Sequence, residues 1–420
     1  MTRVALIGAG KMGLPLACAF ASHGADVTAC DVNDSIVDSI NAGVCPFDEP
    51  GVNELLKKAV SEGLLRATTA TELAVSCSDV VVVIVPVLLT TDNKADLHTI
   101  QSVTRIIGAS IKPGTLVSYE TTLPVGTTRR FGAMIEAASG LMAGIDFHLV
   151  FSPERVKSQR VLQRLFQNPK VVGGVNPDSA RRGAEFYTRF LGAPVHNVKT
   201  LEAAEFVKLA GMIYRDVNIA LANELAAYAE LVGVDYWQLL AATNSDGEAA
   251  LLSPGIGVGG HCTPVYPHFL INDAREKGQP TALAECARNR NYAQPGLVID
   301  RLGDVDGKLV TILGVGFRPQ VRETAYSPAF ALRDALRSKG AIVRAHDPLY
   351  SSDELLSLGF EPAELEGSDI LVLNTAHDMY TKLDFAALAA SGVRTVVDGR
   401  NAWNSSEVTA AGLRYIGIGK

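Results

Sequence analysis

Val4-Ala-Leu-Ile7 runs into Gly8-Ala9-Gly10-Lys11-Met12-Gly13, an apolar stretch of helical length follows, and Val27-Thr-Ala-Cys30 then ends at Asp31. A short apolar run, a glycine turn, an apolar segment of helical length and a second apolar run read as strand, turn, helix, strand. Such glycines permit a tight turn and the close approach of a pyrophosphate. The helix start offers free N–H groups and the positive end of a dipole. Asp31 lies where a carboxylate accepts both hydroxyls of a ribose, and its charge repels a 2′-phosphate, so NAD is expected rather than NADP. Gly8, Gly10, Lys11, Met12, Gly13 and Asp31 form the expected cofactor loop.

Working outward, apolar runs at 4–7, 27–30, 80–85, 116–119, 149–151 and 170–173 alternate with amphipathic stretches. Continuous apolar strands separated by helices mark a parallel sheet covered on both faces. From Thr200 to about Leu240 the pattern becomes one Ala- and Leu-rich helical stretch with Gly233 as a stop. After about Leu302 the strand, helix, strand logic returns with runs at 309–313, 341–346, 370–374 and 395–398 and a helix at 328–339. The expected fold is α/β, two Rossmann-like doubly wound domains joined by a long central helix in a helical domain. The expected boundaries are 1–197 for the NAD domain, 198–303 for the helical domain and 304–420 for the second α/β domain. The 200–240 helix offers a long apolar face for a second copy of the chain, so a homodimer is expected through it.

Composition narrows the function. In 420 residues, 38 Lys+Arg against 45 Asp+Glu give a net charge of −7. No basic cluster exceeds a dipeptide, so neither a nucleic-acid partner nor an anionic membrane partner is expected. The longest apolar run, 80–89, is interrupted by Pro86 and is shorter than the ~18 residues of a membrane span. Met1-Thr-Arg leads straight into a strand, without an apolar signal segment, so the cytoplasm is the expected location. Six cysteines lack a metal-ligand spacing, and no metal is expected.

Two stretches stand out beyond the first domain. Ser253-Pro-Gly-Ile-Gly-Val-Gly259-Gly260-His261-Cys262-Thr-Pro264 puts a cysteine just past a glycine-rich loop, and Lys208 sits in the long helix among apolar neighbours. With them go Pro86 and Ala95-Asp96-Leu97, Thr121-Thr122-Leu-Pro-Val-Gly-Thr-Thr, Ser152-Pro-Glu154-Arg155, Glu202-Ala-Ala-Glu205, Ser327-Pro328 and Val397-Asp398-Gly-Arg400-Asn401. In this set and order the chain resembles the UDP-glucose/GDP-mannose dehydrogenase family, the nucleotide-sugar 6-dehydrogenases. The His-Cys-Thr-Pro-Val spacing is most similar to the N-acetylhexosamine branch. The resemblance implies oxidation of a sugar C6 alcohol by NAD, capture of the aldehyde on a cysteine, a second hydride transfer, and hydrolysis of the thioester. It implies Cys262 as nucleophile, Lys208 as alkoxide stabiliser or first base, Thr122 as a water-positioning hydroxyl and Glu154 as an active-site carboxylate. Pro86 and Thr122 join the cofactor contacts. Glu154, Arg155, Lys208, Gly259, Gly260, Arg288, Phe317, Arg318 and Arg400 are the implied nucleotide-sugar contacts.

The pattern departs at three points. Four residues after the cysteine the family has an aspartate, where this chain has Tyr266; four after the lysine it has an asparagine, where this chain has Met212. The family's Arg-Glu-Ser-Pro reads Ala325-Tyr326-Ser327-Pro328. Three outcomes compete: an acid is still made with Glu154 or another group in the aspartate's place; the reaction stops after one hydride at a ketone; or the chain is an inactive nucleotide-sugar-binding relative. The losses fall on oxyanion holding and thioester hydrolysis, which favours the ketone, with Tyr266 packing on a longer sugar or assisting Lys208. The octose 6-dehydrogenases of lincosamide antibiotic pathways resemble such a case. Retention of Cys262 argues the other way. Glu202 and Glu205 read as solvating the helix start, and His261 as shaping the glycine turn.

Overall fold

A computed structural model describes residues 1–156 and 158–420. Packing divides the chain into two compact units, one of residues 1–211 with 268–277 and the other of residues 212–267 with 278–420. The helical middle is therefore shared between them.

The first unit carries an eight-stranded sheet: β1 (Arg3–Ile7), β2 (Asp26–Cys30), β3 (Leu65–Thr68), β4 (Val80–Val83), β5 (Leu116–Tyr119), β6 (His148–Phe151), β7 (Lys170–Gly174) and β8 (Val195–Thr200). Their order is β3-β2-β1-β4-β5-β6-β7-β8, with every neighbouring pair parallel except β6 and β7. The second unit has a six-stranded, wholly parallel sheet of β9 (Leu309–Leu313), β10 (Ile342–His346), β11 (Glu361–Pro362), β12 (Ile370–Leu373), β13 (Thr395–Asp398) and β14 (Arg414–Gly417), in the order β11-β10-β9-β12-β13-β14. Both are doubly wound Rossmann-like sheets.

The expected central strands form where expected because both sheet faces are covered, which demands continuous apolar runs. Val4, Leu6, Val27 and Val82 are fully buried, and Phe20 meets Phe186 edge-on with ring centroids 5.0 Å apart. In the second sheet Val310 and Ile312 pack against Leu332, while Leu371 and Leu373 pack with Tyr380 and Trp403. Each such aliphatic side chain contributes roughly 1.5–3 kcal/mol on burial. The long helix runs Leu201–Leu231 and stops at the turn around Gly233. A separate helix Tyr236–Thr243 follows, capped by Asp235 accepting from the Trp237 N–H, so the single stretch expected to Leu240 is two helices. No helix among the described residues is long and apolar enough to cross a membrane.

Candidate active site

In the first sheet the chain leaves β1 and β4 in opposite directions, which opens a crevice at their carboxyl ends. The Gly8–Gly13 turn sits there. Gly13 must be glycine, because a Cβ at that position would lie 1.8 Å from the Gly8 carbonyl oxygen. Gly10, by contrast, faces open space. No side chain caps the helix Gly13–Ser22, and its first turn holds no acid. Asp31 Oδ2 accepts from the Ala9 N–H at 3.0 Å and Oδ1 from the Asn33 N–H at 3.1 Å, yet the side chain stays partly exposed. Lys11 and Pro86 are exposed at the same sheet edge, and Met12 is partly buried. Thr121 donates to the Val85 carbonyl at 2.6 Å, fixing the turn in which Thr122 is buried. An open glycine, an uncapped helix start and an accessible carboxylate fit a dinucleotide.

Deeper in this unit the 152–156 loop meets the long helix. Lys208, 7% exposed, donates from Nζ to the backbone carbonyl of Glu154 at 2.5 Å. The Glu154 side chain turns inward. Its Oε1 accepts from the N–H groups of Arg155 and Val156, and its Oε2 lies 3.2 Å from the Lys170 ammonium. Burial pushes this carboxyl up, but the charge and hydrogen bond of Lys170, with Lys208 beyond, outweigh burial and hold it below its ordinary value. Arg155 is exposed and donates to the Pro169 carbonyl. Lys170 also bonds Glu120, which accepts from the Tyr187 hydroxyl at 2.7 Å.

Sequence reasoning passed over Glu120, Lys170 and Tyr187. The available signal was a charge at the end of each of two otherwise apolar strands, Leu-Val-Ser-Tyr-Glu120 and Lys170-Val-Val-Gly-Gly. Glu205 corrects an expectation outright. Rather than solvating the helix, it is wholly buried and accepts from the N–H groups of Gly126 and Thr128 and from the Thr128 hydroxyl, at 2.5–2.7 Å. It thus caps the helix Thr127–Ser139 from the long helix, and burial pushes its carboxyl up to about 7.

The second unit holds the cysteine loop. The Cys262 carbonyl accepts from the N–H groups of Val265 and Tyr266, so the partly exposed cysteine sits one turn ahead of the helix Tyr266–Glu276. Tyr266 is partly buried at the first helical position. Gly259 is pressed against Phe317, whose Cβ would be 2.5 Å from an added Cβ, and the Gly260 N–H donates to the Ala325 carbonyl. His261 Nε2 lies 2.8 Å from the buried Glu323 carboxylate, a partner unforeseen from its loop setting. Arg288, expected as a substrate contact, is 3% exposed, donates to the Thr263 carbonyl and pairs with buried Asp216 at 3.2 Å. It braces the cysteine loop from behind.

At the carboxyl edge of the second sheet, the Asn374 amide donates to the carbonyls of Gly314 and Gly316, and Arg400 Nε donates to the Asn374 carbonyl at 2.6 Å. Burial pushes the Arg400 guanidinium down to about 10. Arg318 lies over the Phe317 ring, 5.9 Å from its centroid. Phe317, Arg318 and Arg400 therefore follow strands β9 and β13 on either side of the β9/β12 switch point, the usual ligand crevice of such a sheet. Among the described residues no cluster of His, Cys, Asp or Glu could hold a metal ion.

Three domain profiles match in chain order: the NAD binding domain of the UDP-glucose/GDP-mannose dehydrogenase family at residues 2–191, its central domain at 202–293, and its UDP binding domain at 311–405. The chain belongs to this family. The UDP-N-acetyl-D-mannosamine dehydrogenase of Pyrococcus horikoshii is 32% identical over 100% of this chain and 99% of its own. The NDP-N-acetyl-D-galactosaminuronic acid dehydrogenase of Ralstonia solanacearum is 32% identical over 97% of each. Among solved structures, the UDP-D-ManNAc dehydrogenase of P. horikoshii aligns with a TM-score of 0.91 at 30% identity, covering 100% of this chain and 99% of that one. A UDP-glucose dehydrogenase from Pyrobaculum islandicum aligns at 0.88 and 27%, covering 100% and 98%. The family gives the first domain its cofactor, NAD, and the chain its reaction, the NAD-dependent dehydrogenation of a CH–OH group on a nucleotide sugar.

Proposed function

We propose that this enzyme oxidises the C6 hydroxyl of a UDP- or GDP-linked sugar whose chain extends beyond C6, so that this alcohol is secondary, and stops after one hydride transfer, at a ketone. NAD, bound by Gly8, Gly10, Lys11, Met12, Gly13, Asp31, Pro86 and Thr122, supplies the hydride acceptor. Lys208 stabilises the alkoxide, its ammonium oriented by the Glu154 carbonyl. Phe317, Arg318, Arg400 and the Gly259-Gly260 turn hold the nucleotide sugar, and the family resemblance adds Arg155 as a contact.

The observation that carries the one-hydride ending is the state of Glu154. With Tyr266 in place of the expected aspartate, Glu154 is the carboxylate left to activate water, and both of its oxygens are already engaged. A carboxylate held below its ordinary value by an ammonium is a weak base. A ketone's thiol adduct has no hydrogen left to give as hydride, so no such base is required. Cys262 then shapes the pocket beside the sugar, and Tyr266 packs on it. The relatives lend this ending no support. One is named for a uronic acid, and that name, with the retained Cys262, favours the second reading, oxidation through a thioester to the acid.

The test is NADH yield per limiting nucleotide sugar, across UDP- and GDP-linked sugars, with mass spectrometry of the product and a Cys262→Ser control. One NADH and a carbonyl are expected; two NADH and a carboxylate overturn the ketone ending. Tight binding with no NADH from any sugar overturns the enzyme reading in favour of a binding relative.

Self-association through the long helix is part of the proposal. Phe206, Tyr214, Leu221, Tyr228 and Leu231 are 41–81% exposed along it, and a spacing near seven residues places several on one face. A cytoplasmic setting accords with six free cysteines.

A further inference from the structure

We infer that Lys170 is a positioning residue for this reaction, setting the Glu154 peptide that orients Lys208. The inference rests on the assignment of Lys208 above. Lys170 opens β7 and is surrounded by groups from four other elements: Glu120 after β5, Glu154 after β6, Tyr187 on the helix Pro177–Leu191, and Lys208 on the long helix beyond Glu154. Its ammonium is 7% exposed, bonds Glu120 at 2.5 Å and Glu154 at 3.2 Å, and lies 5.0 Å from the centre of the Tyr187 ring. Tyr187 in turn meets the Ser118 hydroxyl at 2.7 Å.

The arrangement has a direction. Glu120, Tyr187 and Ser118 anchor the ammonium to the floor of the sheet, leaving its remaining bond for Glu154. That bond pulls the Glu154 side chain inward, and the Arg155 and Val156 N–H groups close on the same carboxylate. The loop is thereby locked with the Glu154 carbonyl presented to Lys208 Nζ at 2.5 Å. A buried ammonium is costly without partners, but Glu120 alone balances Lys170 and Lys208 lies beyond Glu154, so the Lys170–Glu154 bond is not needed for charge balance and is available to fix the loop. One carboxylate serves to hold the lysine and the other is what the lysine holds.

The test compares Glu120→Gln, which leaves Lys170 on Glu154, with the Glu120→Gln/Lys170→Met pair, which removes the lysine and one of its two carboxylates and leaves Glu154 on the Arg155 and Val156 N–H groups. Two readouts are taken on the full chain, with folding checked by circular dichroism. The first is acetylation of Lys208 by acetic anhydride, scored by mass spectrometry against the well-exposed Lys58. The second is kcat and KM for NAD with the nucleotide sugar that the wild type turns over. The single variant, whose amide oxygen can still accept from Lys170, is expected to fall between wild type and the pair in both. The pair is expected to acetylate Lys208 several-fold faster and to lose roughly tenfold or more in kcat, with KM for NAD within about twofold. A folded pair that labels and turns over like the single variant overturns the inference. If wild type turns over no nucleotide sugar, the functional reading fails separately, and the labelling rates still decide the role of Lys170.

Discussion

The two sheets share one strand order over six strands and one device at the end of the second strand, and they differ in how much of that device they leave open. In the first, Asp31 takes the N–H of Ala9, one residue past the first glycine, and the N–H of Asn33, two residues on. In the second, Asp347 takes the N–H of Val315, one residue past Gly314, and the N–H of Leu349, two residues on. Yet Asp347 is 4% exposed with His377 3.5 Å away, whereas Asp31 remains accessible. The first glycine turn passes directly into a helix at Gly13, while the second carries Pro319 at the equivalent place and a loop to the helix Pro328–Ser338. The same carboxylate thus supports a loop in both sheets and stays accessible in one, where we propose that it meets a ribose. A shared topology does not confer a shared ligand.

The largest effect expected from this contrast is at Gly13. Gly13→Ala forces a Cβ into the Gly8 carbonyl and should weaken NAD binding by roughly a hundredfold or more together with the stability of the turn, whereas Gly10→Ala, whose Cβ meets no protein atom but fills space left for a pyrophosphate, should weaken NAD binding by roughly tenfold with little loss of stability; fluorescence titration with NADH and urea unfolding separate the two. Next come the paired aspartates. Asp347→Ala strands two backbone N–H groups in a buried turn and should cost about 3 kcal/mol in urea unfolding of the protein. Asp31→Ala, partly exposed, should cost about 1 kcal/mol and act chiefly on NAD affinity. Equal losses of stability would show that exposure does not separate them. The smallest effect concerns pH. Burial pushes the Glu120 carboxyl up to about 7 despite Lys170. A value raised above that of the unfolded chain contributes stability that is complete at low pH and lost as pH rises through about 7. Between pH 5 and 8 wild type should lose up to about 2 kcal/mol from this group, and Glu120→Gln should make the dependence of the melting temperature on pH less steep over that range, leaving the share of Glu205, which burial also pushes up to about 7.

Much of this was legible in the chain. Buried strands such as β1, β4, β9 and β12 are continuous apolar runs, and the glycine turn with Asp31 announces its own chemistry. The strands that escaped notice carry no such signal: β8 is the polar edge Val-His-Asn-Val-Lys-Thr, β11 has two residues, β3 alternates exposed and buried positions, and β14 is the short edge Arg-Tyr-Ile-Gly. The resemblance supplied Cys262, Lys208 and Glu154, but not the state of Glu154, because its inward turn depends on Lys170, 16 residues away in sequence. Glu205 was misread for the same reason. Its three donors lie 77–79 residues earlier, and local spacing suggests only a solvated helix face.

The central claim, that the first sheet binds NAD and the second the nucleotide, is tested most directly by calorimetric titration of NAD and of UDP and GDP into wild type, Asp31→Ala and Arg400→Met. The account predicts that Asp31→Ala weakens NAD alone and Arg400→Met weakens the preferred nucleotide diphosphate alone. Loss of NAD binding in the Arg400 variant with the nucleotide unaffected would contradict it.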